Sequence, residues 1–167
     1  YEESITAYRE IVGQYPDSDA AAAALMMIGT NYDWLAAKNQ DPTMIEKAKE
    51  AFAASIDRYP DSSAAAATYL YLGQMYGGFT SVILKNTDCA KASKLFEKAI
   101  EKTSDQWIQA QAKGRIGQCL ERAGEKEKAK AAYEEVIKKY PGTDWDKEAQ
   151  KLLGLKPEQQ ELNEIAY

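Results

Sequence analysis

At 167 residues, with 45% hydrophobic and 28% charged side chains, the chain has enough apolar material for a folded core, and its many Ala, Lys, Glu and Leu with only 5 Pro favour helix. A net charge of -5 is the wrong sign for binding a phosphate backbone, no run of about 18 apolar residues exists to cross a membrane, and the absence of any His removes the commonest general base and metal ligand. The one basic stretch, 8 Lys and Arg against 5 acidic residues between positions 111 and 143, reads as a solvated helix face.

The first element, YEESITAYREIVGQYP over residues 1–16, reads as a helix stopped by Pro16, because proline lacks an amide proton and biases the residue before it away from helix. Its pattern returns three times, from Ile45, Cys89 and Lys126, without a gap. Small Ser4, Ala48, Ala92 and Ala129 are each followed four residues on by Tyr8, Phe52, Phe96 and Tyr133, and four further on by Val12, Ile56, Ile100 and Ile137. Such spacing makes one apolar stripe along a helix, here called helix B. The chain opens at Tyr1 without Met and in mid-repeat, as expected of a processed or excised piece, so any targeting segment would lie outside it.

Between these helices stands a second type. QYPDSDAAAAALMMIG from Gln14 and RYPDSSAAAATYLYLG from Arg58 match position for position, and the register continues in KTSDQWIQAQAKGRIG from Lys102 and KYPGTDWDKEAQKLLG from Lys139. Ser18 and Ser62 are expected N-caps of an Ala-rich helix A, which carries Ile28-Gly29, Leu72-Gly73, Ile116-Gly117 and Leu153-Gly154 at its end. A helical Gly costs roughly 1 kcal/mol against Ala, so four in register imply close approach of another helix. A repeat of this length points to stacked units, divided into helix B at 1–16, repeats at 17–60, 61–104 and 105–141, a terminal helix A at 142–156, and a polar tail or capping helix at 157–167.

Each of the first two repeats holds seven extra residues, about two helical turns, which lengthens a hairpin without rotating its stripe. In the first, Trp34-Leu35-Ala36-Ala37 continues helix A and Asp41-Pro42 opens helix B; in the second, Gly77-Gly78 ends helix A and leaves FTSVILK as an apolar loop. Ser104 replaces the expected Pro and softens that corner.

The large-Gly pair in helix A, then small, aromatic and apolar positions in helix B, then Pro, resembles the tetratricopeptide repeat, best over residues 108–141 through Ile116, Gly117, Gly124, Ala129, Tyr133 and Pro141. The wording around Gly73 to Gly78 also resembles Sel1-like repeats, the alternative for that unit. The resemblance implies an all-α, right-handed superhelical solenoid of antiparallel hairpins, about three full repeats flanked by half-repeats. Tyr-Pro-Asp-Ser before an Ala-rich helix is most similar to bacterial envelope members, the outer-membrane assembly lipoproteins and the Tol-Pal-associated cell-division coordinator. That implies a periplasmic or envelope-associated home, with a cytoplasmic one as the alternative.

No catalytic set, zinc constellation or phosphate loop is present, and carboxylate pairs such as Glu134-Glu135 read as helix-surface solvation, so neither enzyme activity nor a metal or other cofactor is expected. Function is expected on the concave face formed by the A helices: Met26, Thr30, Asp33, Trp34, Leu70, Gln74, Gln111, Gln118 and Arg122, with Gly78 beside them. Met26, Trp34 and Leu70 have core packing as their other reading. Chaperone-binding relatives carry a Lys/Asn/Arg clamp there, whereas Met26, Thr30, Leu70 and Gln74 occupy the corresponding region here, so carboxylate specificity is not implied. The expected function is a protein-interaction scaffold gripping a peptide or helix. The alternative is self-association through half-repeat ends, motivated by Ile5, Tyr8 and Val12 with no preceding hairpin to cover them. Cys89 and Cys119 fall at the same end of adjacent helices and could form a disulfide if their alpha carbons come within about 7 Å; two reduced, buried thiols are the other reading.

Overall fold

The computed structural model describes residues 1–80 and 86–155. They form eight helices and no strand: α1 Glu2–Gln14, α2 Asp19–Asn39, α3 Thr43–Arg58, α4 Ala65–Gly77, α5 Cys89–Glu101, α6 Gln106–Arg122, α7 Lys126–Lys139 and α8 Asp144–Leu152. The pairs α2 with α3, α4 with α5 and α6 with α7 pack as hairpins, which is the all-helical hairpin architecture expected from the repeats. The chain divides into two compact units, Tyr1–Lys102 and Thr103–Tyr167, at the corner where Ser104 stands in place of Pro.

Each hairpin closes on one contact. A Cβ placed on Gly29 would lie 2.5 Å from the Phe52 ring, one on Gly73 would lie 2.6 Å from Phe96, and one on Gly117 would lie 2.5 Å from Tyr133. All three rings are buried, as are Ala48, Ala92 and Ala129 one turn before them, so the bare backbone of helix A receives the ring of helix B. Gly114 does the same within the second unit, where the Trp145 indole of α8 occupies the space a side chain would need. No sequence repeat announces that fourth contact.

The Tyr-Pro-Asp-Ser corners join successive repeats. The Ser18 hydroxyl donates to the Tyr15 carbonyl at 2.7 Å and accepts from the Ala21 amide at 3.2 Å, capping α2 as expected. The Tyr59 hydroxyl donates to the Pro16 carbonyl of the preceding corner, and the Ser63 amide to the Asp19 carboxylate at 3.4 Å. At the next corner the Lys102 ammonium meets Asp61 at 2.6 Å instead.

Several expectations need correction. Ser62 does not cap α4: the helix starts at Ala65, and the Ser62 backbone carbonyl, not its hydroxyl, accepts from the Ala65 amide at 3.0 Å. Gly154 is not a fourth glycine at a close helix approach. It has φ +68 and open space around its Cβ position, and it ends α8 in a left-handed turn, with Leu155 donating to the Gln150 carbonyl at 3.0 Å. The terminal helix is therefore Asp144–Leu152, shorter than the expected 142–156. Ile5 is buried against Ile28, Leu35 and Ala51, and Tyr8 and Val12 are half-buried, because α2 already covers the stripe of α1.

The two insertions resolve differently. α2 runs through Trp34 to Asn39, and Asp41 accepts from the Thr43 amide at 2.9 Å, opening α3 as expected. In the second repeat Gly78, at φ +66, ends α4 and turns Phe79 back so that its ring lies 6.2 Å from Phe96. Residues 81–85 of the FTSVILK loop and the 157–167 tail lie outside the described residues.

Gly29→Ala forces a methyl into the Phe52 ring and should cost about 1–3 kcal/mol, while Gly13→Ala on the open side of α1 should be neutral or stabilising by up to about 1 kcal/mol. Urea unfolding of the two variants checks this. Equal effects would show that the ring contact does not govern the hairpin.

Candidate functional site

The A helices place four of the expected residues together. Thr30, Asp33 and Trp34 from α2 and Gln74 from α4 line one cleft of about 270 Å³ within the first unit. Helical geometry explains the grouping, since positions 30, 33, 34 and 37 succeed one another on a single face. Ala37, Phe52 and Tyr71 complete the lining. Sequence reasoning missed them because Phe52 reads as core and Tyr71 sits one residue from the expected Leu70.

The cleft is mixed in character. Tyr71 stacks on Phe52 with ring centroids 5.7 Å apart, and Trp34, 57% exposed, stacks on Tyr1 at 6.3 Å. Thr30 donates to the Met26 carbonyl at 3.1 Å and is thereby held against its own helix. Asp33 Oδ1 and Gln74 Nε2 are buried without a hydrogen-bond partner, a condition that costs about 1–3 kcal/mol per group unless something relieves it. Burial raises the pKa of Asp33 above the ordinary carboxylate value.

Other expected residues fall elsewhere. Leu70 is fully buried and belongs to the core. Met26 is half-buried against the cluster around Phe52. Gln111, Gln118 and Arg122 lie on α6 in the second unit. The Gln118 side chain accepts from Arg115 at 2.9 Å, Arg122 ends the helix, and Gln111 Oε1 is buried without a partner. Arg115 lies on the same side of α6, 5.1 Å from the Trp145 ring, with its pKa lowered by burial and then by the charge of Arg122. No disulfide joins Cys89, half-buried, to Cys119, buried.

A larger groove of about 760 Å³ crosses α7 and the end of α8, with Ile137, Leu152 and Leu153 between Lys126, Lys130 and Lys138. Tyr133 at its wall donates to Glu121 at 3.1 Å. The smaller cleft is the better candidate for recognition, because it alone of the two contains buried polar groups left unpaired. Among the described residues no three His, Cys, Asp or Glu side chains converge on a metal position, and no helix is long and apolar enough to cross a membrane.

The family model of the tetratricopeptide repeat matches residues 23–62 and 115–143, which span the first hairpin and the core of the third. No curated protein matches the chain significantly.

Leu70→Ala should lower stability by about 2–5 kcal/mol, as a core truncation, while Trp34→Ala should change it by no more than about 1 kcal/mol. Thermal unfolding of the two variants separates core from cleft. A mild Leu70→Ala would return that residue to the groove.

Proposed function

We propose that this tetratricopeptide-repeat chain is a non-enzymatic scaffold that holds an extended segment or helix of a protein partner in the cleft between α2 and α4. Tetratricopeptide repeats mediate protein–protein interaction. The observation that carries the reading to this cleft is its pair of buried, unpaired polar groups, one an acceptor on Asp33 and the other a donor on Gln74. A peptide backbone offers N–H and C=O side by side and so complements both, while Trp34 and Tyr71 supply aromatic surface that loses little side-chain entropy on contact.

The setting we favour is a complex of the bacterial envelope, supported by the Tyr-Pro-Asp-Ser wording of the corners. Immunodetection in fractionated source cells tests it, and a purely cytoplasmic signal would overturn it. A second reading, self-association, is supported by the apolar groove on α7 and α8, where Leu152 is exposed. Light scattering decides that reading: a concentration-independent mass of 18.6 kDa removes it.

The double variant Trp34→Ala with Gln74→Ala should reduce capture of the partner by at least about tenfold with helical content unchanged. Undiminished capture by a folded double variant overturns the assignment of the cleft.

A further inference from the structure

The cleft on the first unit is one-sided in charge. Among the described residues Asp33 is the only charged one in its lining, it enters no ion pair, and one of its oxygens is shut away with no hydrogen-bond donor. An unpaired, partly desolvated carboxylate favours any cation brought beside it, since Coulomb attraction strengthens as water is excluded. Burial already raises the pKa of this group, as expected of a carboxylate whose charge is uncompensated.

The aromatic groups tell the same story. Elsewhere in this unit tyrosine faces carry the chain's own cations: Lys47 lies over Tyr32 at 5.7 Å, Lys91 over Tyr76 at 3.8 Å and Arg58 over Tyr59 at 5.2 Å. Among the described residues no Lys or Arg lies over Trp34 or Tyr71. The cleft thus combines a carboxylate without a counter-ion and two aromatic rings without a cation, next to an unpaired amide donor on Gln74.

We infer that this cleft contains a subsite for a lysine or arginine side chain of the bound partner, with the cationic head beside Asp33 and the aliphatic stem along Trp34 and Tyr71. The inference rests on the reading of the cleft as a peptide site. A long basic side chain suits it, because the methylene stem covers apolar ring surface while the head stays with the carboxylate. An acidic side chain there would meet Asp33 with like charge, and a neutral one would leave the carboxylate without a counter-ion. A divalent metal ion is a poor occupant, because hard cations take six or more oxygen ligands and no second carboxylate lines the cleft.

Panning a random 12-residue peptide library on the full chain tests subsite and cleft separately. Wild type should enrich peptides with Lys or Arg at one fixed position. Asp33→Asn should still enrich peptides but without that preference, Asp33→Glu should keep it, and Trp34→Ala with Gln74→Ala should abolish enrichment. For a selected peptide, replacing its basic residue by Gln should weaken binding to wild type about tenfold and binding to Asp33→Asn hardly at all. Enriched peptides with no basic position, or a basic preference unaffected by Asp33→Asn, overturn the subsite and leave the peptide cleft standing. Absence of enrichment on wild type, or enrichment indifferent to Trp34→Ala with Gln74→Ala, overturns the cleft itself.

Discussion

The structure depends on an aromatic ring lying on a glycine backbone. Phe52 lies on Gly29, Phe96 on Gly73 and Tyr133 on Gly117, one such contact in each hairpin, and the distances leave no room for even a methyl group. A glycine inside a helix gives up propensity, and the loss is offset by burying most of an aromatic side chain against bare backbone. Because the ring comes from helix B and the glycine from helix A, one contact fixes the depth and the register of the pair together. Where no ring arrives, the glycine changes role: Gly154 occupies the same place in the repeat, yet it ends its helix with a positive φ.

Hairpins closed in this way still need a rule for stacking, and the corners supply it. Tyr59 reaches back to the carbonyl of Pro16, and Lys102 reaches back to Asp61, so within the first unit these two corners are each tied to the one before. The tie is made by one hydroxyl or one ammonium at the surface. Exposed polar contacts of this kind contribute only modestly, about 1 kcal/mol each, so they set alignment while buried rings set stability. The cleft then follows from the arrangement of the A helices. Once α2 and α4 lie side by side, the residues between their packed faces have nowhere to go but into a shared cleft, where Asp33 and Gln74 are partly desolvated without being paired. Such groups weaken the free fold slightly and would strengthen any complex that completes them.

The sequence by itself determined the all-helical repeat architecture, the hairpin boundaries near each Pro, and the glycines of helix A and rings of helix B that the structure then pairs. Each of these rests on local rules: proline stops a helix, spacing of four makes a stripe, and glycine in a helix demands a neighbour. It also placed Thr30, Asp33, Trp34 and Gln74 on the faces that line the cleft, since their position on a helix follows from counting residues away from the packed glycine. Only the tertiary structure decided that Leu70 turns into the core while Tyr71 enters the cleft, that Trp145 of α8 fills the space above Gly114, and that Ile5 is covered by α2. A rotation of one residue along a helix moves a side chain by about 100°, and that difference is set by how far neighbouring helices lean on one another, a quantity that no local pattern encodes.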